Sequence, residues 1–191
     1  MQPKANHLWN LYRKGDRPAF EKIYYQHVNL LYDYGVRMTR DAPLVEDCIQ
    51  DLFSDLWEKR MQMNAVDSVK SYLLVSIRRR IIRKLSGTRQ NTLPIRLELS
   101  ACSQDFTPSM LDTISEEQQA QLAYAFSKLS DKQKEVIYLR FYNQLSYEEI
   151  AEVMSVQVKA IYKLMARAMQ VLRMHIGNPA LTSFLFAFLA T

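Results

Sequence analysis

The sequence predicts an all-α protein built as two small helical domains joined by a flexible linker. Three observations lead there. Hydrophobic residues make up 48% of the 191-residue chain while Gly occurs only four times, the profile of a helix-rich globular protein. Apolar residues recur at helical spacing through long segments on both sides of a single interruption. Cap signatures of the S/T-x-x-E/Q kind stand in front of the C-terminal segments.

In order along the chain, His7 to Lys14 reads as a short helix stopped near Gly15, and Asp16 with Pro18 starts the next. Phe20, Tyr24, Val28, Leu31, Gly35 and Met38 mark the buried side of that second helix. Asp41-Ala42-Pro43 opens a third, with Leu44, Val45, Cys48, Ile49, Leu52, Phe53, Leu56 and Trp57 apolar and Glu46, Asp47, Gln50, Asp51, Asp55 and Glu58 on the other side. Met61 to Ser68 is a polar loop. From Val69 a strong helix follows, held to the core by Tyr72, Leu73, Ile77, Ile81 and Leu85. Its Arg79/Arg83 and Arg80/Lys84 pairs stack like charges at i, i+4, a small liability that a phosphate backbone would turn into binding.

Residues 87–113 interrupt the pattern with Pro94, Pro108 and many polar residues, and read as a linker. Beyond it, Thr113-x-x-Glu116 and Ser130-x-x-Gln133 each cap a helix. Ser146-x-x-Glu149 caps a third, which Ser155-Val156-Gln157 turns into a fourth. That last helix keeps Ile161, Leu164, Met165, Ala168 and Leu172 on one face, and Lys159, Tyr162, Lys163, Ala166, Arg167 and Gln170 on the other. The outline is a helix-turn-helix, acidic in its first helix and basic in its second. Taken alone it fits a DNA reader or a structural αα-hairpin.

Charge distribution narrows the function. The net charge is +5, but Asp41 to Arg60 holds six acids against two bases, whereas Ser71 to Gln90 holds six bases and no acid. The acidic side of the third helix is a solvated face or a docking surface for a basic partner. Asp47 with Asp51 makes no metal site, because no His and no third carboxylate accompany them. His7, His27 and His175 are scattered, so no catalytic constellation is visible and no cofactor is expected. Two cysteines, Cys48 and Cys102, without metal or redox spacing fit a reduced, cytoplasmic protein. The N-terminus lacks the apolar core of a signal peptide, and the apolar tail 177–191 is too short to span a bilayer, so no direct membrane insertion is expected.

Three segments in series carry a family resemblance. DAPLVEDCIQDLFSDLWEKR, SVKSYLLVSIRRRIIRKL and LSDKQKEVIYLRFYNQLSYEEIAEVMSVQVKAIYKLMARAMQVLR resemble the core-polymerase-binding helix, the minus-10-melting segment and the minus-35-reading domain of the extracytoplasmic-function bacterial sigma factors. The resemblance implies a region 2 domain at 1–86, a linker at 87–113, a region 4 domain at 114–176 and an apolar tail. It implies core RNA polymerase and promoter DNA as partners, with an anti-sigma factor as a third, and no small-molecule substrate. Asp47, Gln50, Asp51, Phe53 and Trp57 would meet the polymerase. Asn64, Lys70, Tyr72, Arg79, Arg80 and Arg83 would meet the opened minus-10 strand. Lys159, Tyr162, Lys163 and Ala166 would reach base edges at minus-35, with Arg140, Ser146 and Arg167 toward the backbone; Arg167 is alternatively a structural partner of Glu152. The chain departs from the family at Arg80 and Lys84, where Asn and Asp are frequent. It departs again at the turn Met154-Ser155-Val156, where Gly is frequent, and at Lys159 and Ala160, where small residues are usual.

Two other classes remain. A stand-alone helix-turn-helix regulator would bind a promoter without core polymerase, and a nuclease or recombinase would cleave DNA with magnesium. The tail is a packed helix or a surface for an anti-sigma factor.

Overall fold

A computed structural model describes residues 3–87 and 115–176, and the chain divides into two compact units, Met1–Ile95 and Arg96–Thr191. Every regular element among the described residues is helical. The expectations for Cys102, for the linker and for the tail 177–191 fall outside the described residues.

The first unit comprises α1 (Pro3–Arg13), α2 (Arg17–Met38), α3 (Ala42–Lys59), a 3₁₀ turn (Arg60–Gln62) and α4 (Val69–Gly87). The start signals read from sequence are the ones used. Asp16 accepts from the Ala19 amide at 2.7 Å and Asp41 from the Leu44 amide at 3.0 Å, each with a proline in the first turn. Gly15 sits at φ +92, which a side chain would strain, and this lets α1 reverse into α2. Leu31, Tyr34, Val45, Cys48, Leu73, Leu74, Ile77 and Ile81 are fully removed from solvent where α2, α3 and α4 meet. Helices approach closely at Gly35, where a Cβ would lie 2.4 Å from Val45 Cγ1.

The expected buried side of α2 is partly displaced. Ala19, Ile23, Leu31, Tyr34, Gly35 and Met38 are buried, while Phe20, Tyr24 and Val28 are half-buried along one edge of the helix. α1 is anchored by Trp9 and Tyr12, both nearly inaccessible; the Tyr12 hydroxyl donates to the Leu56 carbonyl at 2.5 Å. Burial pushes the pKa of that hydroxyl up, so it remains a donor.

The second unit comprises α5 (Glu116–Ser127), α6 (Asp131–Ile137) continued by a π-helical turn (Tyr138–Tyr142), α7 (Tyr147–Met154) and α8 (Val158–His175). Ser130 and Ser146 form full capping boxes with Gln133 and Glu149, as expected. The α5 cap is corrected: Ser115 with Gln118 forms the box, two residues beyond the Thr113/Glu116 pair of equal spacing. Phe126, Val136, Leu139, Leu145, Ile150, Val153, Ile161, Met165, Ala168 and Leu172 make the core, with α8 packed against α5, α6 and α7.

Candidate nucleic-acid and partner interfaces

α3 carries three stripes rather than the two read from sequence. Val45, Cys48, Leu52 and Leu56 face the core. Glu46, Gln50, Phe53, Ser54 and Trp57, spaced at i, i+4, i+7, i+8 and i+11, line one wall of an open groove of about 670 Å³ whose other wall is Phe20, Tyr24, Val28, Asn29 and Tyr32 of α2. The groove floor is aromatic. Phe20 contacts Phe53 and Trp57 at centroid separations of 6.0 and 5.0 Å, Tyr24 meets Phe53 edge-on at 4.8 Å, and Arg60 lies over the Trp57 ring at 4.4 Å. Of the expected polymerase contacts, Gln50 is exposed and Trp57 half-buried along this groove, while Phe53 is buried in its floor. Asp47 and Asp51 do not belong to it.

The acidic stripe Asp47, Asp51 and Asp55 instead runs beside α4. Lys84 Nζ reaches Asp51 at 3.1 Å and Asp47 at 3.9 Å. Arg80 pairs with Asp55, which also receives Lys59 at 3.1 Å. The hydrogen bond from Arg80, then that from Lys59, holds the Asp55 carboxyl below its ordinary pKa; the hydrogen bond to Asp51 raises that of Lys84. The basic run on α4 is therefore split. Arg80, with 17% of its side chain in solvent, is turned into the α3–α4 contact, whereas Arg79 and Arg83 are exposed.

The loop between the 3₁₀ turn and α4 is tied to α1 through its backbone. Trp9 Nε1 donates to the Asn64 carbonyl at 2.9 Å, and Arg13 Nε donates to the Met63 carbonyl. The Asn64 side chain stays exposed. Tyr72 is half-buried, edge-on to Trp9 at 5.3 Å, and Lys70 is half-buried beside it in sequence at the start of α4.

In the second unit the helix-turn-helix is present. Ser146 caps α7, and Ser155 closes it in the left-handed region, at φ 54 and ψ 47, the conformation for which glycine is the default residue. Gln157 begins α8 without a side-chain cap bond. Lys159, Tyr162, Lys163, Ala166 and Arg167 are all exposed, opposite buried Ile161, Met165, Ala168 and Leu172. Arg140 and Ser146 serve the helix entry: Arg140 Nη1 donates to the Leu145 carbonyl at 2.9 Å, and the Ser146 hydroxyl accepts from the Glu149 amide at 3.2 Å.

Two family models match this chain, Sigma-70 region 2 over residues 23–90 and Sigma-70 region 4 over residues 119–172. The ECF RNA polymerase sigma factor SigK of Mycobacterium ulcerans is 22% identical over 171 residues, covering 88% of this chain and 91% of its own. SigK of Mycolicibacterium vanbaalenii is 25% identical over 164 residues, covering 85% and 84%. The chain belongs to the extracytoplasmic-function sigma factors.

Solved structures agree on the fold of this sigma factor. CnrH, in complex with the cytosolic domain of CnrY, superposes with TM-score 0.58 at 21% identity, covering 88% of this chain and 94% of that one. RpoE in complex with the anti-sigma factor NepR, from Bartonella quintana, gives TM-score 0.55 at 18% identity, covering 84% and 98%. The two helical units of the sigma factor are thus its region 2 and region 4 parts, and its function is transcription initiation at promoters. Among the described residues, no helix is long and apolar enough to cross a membrane, and no group of three His, Cys, Asp or Glu side chains is placed to hold a metal.

Sequence reasoning missed three features of this sigma factor. The α2 wall of the groove was assigned to the core, although aromatics at i, i+4 beside polar Asn29 signal a half-buried edge. The pairing of Arg80 and Lys84 with α3 had no local signal, since it depends on how two helices cross. Tyr147, in the first turn of α7, has no signal of its own in the sequence; its ring stacks on Tyr162 at 4.4 Å.

Proposed function

We propose that this sigma factor docks core RNA polymerase on the α2–α3 groove, through Gln50, Phe53 and Trp57, with Asp47 and Asp51 at its flank. An aromatic floor with a polar rim and a charged border is the anatomy of a protein interface, and the acids would steer a basic partner. The opened minus-10 strand would meet the exposed Arg79 and Arg83, with Lys70, Asn64 and Tyr72 at the loop end of α4. Arg80 is assigned to the α3–α4 contact rather than to DNA. At minus-35, α8 enters the major groove with Lys159, Tyr162, Lys163 and Ala166 toward base edges and Arg167 toward phosphate; Arg140 and Ser146 set its approach.

One observation supports this reading most: α8 buries Ile161, Met165, Ala168 and Leu172 on one face and leaves Lys159, Tyr162, Lys163, Ala166 and Arg167 together in solvent on the other. On this reading the domains divide at 1–86, 87–113 and 114–176. The protein performs no covalent chemistry and works in the cytoplasm. An anti-sigma protein is a further partner, by analogy with the complexes in which CnrH and RpoE were solved.

The test is run-off transcription with core polymerase on promoters from the same genome. Promoter-dependent transcripts that require this protein are expected, together with weakened core binding by Asp51→Arg while the helical content of the second unit is unchanged. Absence of both polymerase binding and initiation overturns the proposal; tight promoter binding without polymerase would favour a stand-alone regulator.

A further inference from the structure

We infer that Tyr147 is a positioning residue for Tyr162, and that the stacked pair reads thymine in the minus-35 element through its C5-methyl group; this rests on the reading of α8 as the major-groove helix. Tyr162 is 53% exposed on the outward face of α8. A lone tyrosine there would be free to change rotamer. Here its ring stacks on Tyr147, at the first turn of α7, with centroids 4.4 Å apart and planes 26° apart. Tyr147 is itself held: the Arg140 guanidinium carbon lies 5.2 Å from its ring centroid while Arg140 Nη1 donates to the Leu145 carbonyl at 2.9 Å. The capping box of Ser146 and Glu149 fixes the backbone from which the Tyr147 side chain projects. Arg140, the Leu145 carbonyl and the Ser146–Glu149 box therefore hold Tyr147, and Tyr147 in turn holds the ring of Tyr162.

The chemistry follows from what is exposed. Tyr162 and Ala166, one turn apart at i, i+4, present an apolar patch next to Lys159 and Lys163. In the major groove, thymine alone offers a methyl group, and apolar side chains recognise it by burial. Lysines on either side supply phosphate or guanine contacts without distinguishing thymine from uracil. A fixed ring discriminates better than a mobile one, since no rotamer freedom is lost on binding.

The test uses holoenzyme reconstituted from core polymerase and the full chain. A minus-35 element is first selected from duplexes randomised upstream of a fixed minus-10 region. Each thymine of that element is then replaced by deoxyuridine, which deletes only the methyl. Loss of one buried methyl weakens binding by about fourfold, so at least one position should show that ratio with the unaltered protein. Tyr162→Ala should bring the ratio to one. Tyr147→Ala should reduce it by more than half, with Tyr147→Phe restoring it, because the stack needs a ring and no hydroxyl. Lys163→Met should weaken thymine and uracil duplexes alike and leave the ratio intact, which a general loss of folding or affinity would also do. A selected element without thymine, or a ratio unchanged in Tyr162→Ala or Tyr147→Ala, overturns the inference while leaving α8 as the reader. A holoenzyme that enriches no upstream sequence overturns both.

Discussion

Replacing Asp55 by asparagine removes one negative charge from the α3–α4 contact while keeping the shape of the side chain. The consequences are unequal for its two partners. Lys59 is 58% exposed and returns to water, but Arg80, 17% exposed, is left with its guanidinium against a neutral amide. Fully exposed pairs contribute between about 0 and 1 kcal/mol, and breaking a fully buried one costs about 3–5 kcal/mol. Because Asp55 keeps 37% of its side chain in solvent, screening places the loss near the lower figure, about 1 kcal/mol. For a unit of this size that lowers the melting temperature by roughly 4–8 °C. Arg80→Met removes the charge and keeps the apolar stem, leaving Asp55 to Lys59 and water, so its cost should fall below about 0.5 kcal/mol. Tryptophan fluorescence follows the melt, since the chain's two tryptophans, Trp9 and Trp57, both lie in the first unit.

The same pair predicts a pH and a salt dependence. Asp55 has a folded pKa below its unfolded value, because Arg80 and then Lys59 hydrogen-bond to the carboxylate. Its contribution is complete above pH of about 4 and is lost as pH falls through the folded value. In holoenzyme binding to a single-stranded minus-10 oligonucleotide, Arg79→Met and Arg83→Met should each reduce the salt slope by about 0.7. Arg80→Met should leave it unchanged. A slope loss in Arg80→Met equal to that in Arg79→Met would refute the assignment of Arg80 to the helix contact, and a stability loss in Arg80→Met as large as in Asp55→Asn would refute the unequal cost argued for the two partners.

Gly35→Ala should destabilise the first unit by about 1 kcal/mol, because a Cβ 2.4 Å from Val45 Cγ1 outweighs the helix propensity gained; in a Val45→Ala background the same change should become stabilising, read by urea denaturation. His27, whose Nδ1 donates to the Ile23 carbonyl at 2.8 Å, has a pKa lowered by burial and then by Lys70. Its neutral form is the folded one, so stability should fall as pH drops below about 6.5, and His27→Gln should flatten that part of the profile. Ser155→Gly should stabilise the second unit by about 0.5–1 kcal/mol, monitored by circular dichroism, because φ 54 is strained for serine and free for glycine.

The helices were legible because their signals are local. Ser130 and Ser146 sit three residues before Gln133 and Glu149, and each capping box is closed by atoms of that tetrapeptide. The same rule misplaced the start of α5, since Thr113/Glu116 and Ser115/Gln118 have equal spacing and only the fold distinguishes them. Periodicity identified Ile161, Met165, Ala168 and Leu172 of the inward face of α8, while Leu164 is half-buried at its edge. It failed on α2, where Phe20 and Tyr24 satisfy the helical pattern but border a groove that depends on the angle at which α3 crosses. The left-handed Ser155 was likewise invisible: the turn was placed correctly, but no local preference of serine demands that conformation.

The departures of this chain from its family gain a physical account from the α3–α4 contact. Arg80 and Lys84 stand where the family resemblance implies Asn and Asp, and in sequence they read as added affinity for the melted strand. A helix advances about 100° per residue, so Arg79 and Arg83 share one face while Arg80 and Lys84 share another. The second face meets Asp55, Asp51 and Asp47. On the proposed reading, cations there offset part of an acidic stripe that would otherwise repel a nearby DNA backbone, and leave the strand-facing charge to Arg79 and Arg83. Replacement of Arg80 and Lys84 together by Asn and Asp should therefore restore the acidic stripe and weaken single-strand binding at low salt through repulsion. The effect should vanish at high ionic strength, where charges farther apart than a few ångströms are screened. Asp47→Asn with Asp51→Asn in that background should recover part of the lost binding if repulsion is its cause, whereas loss of direct phosphate contacts would leave it unrecovered.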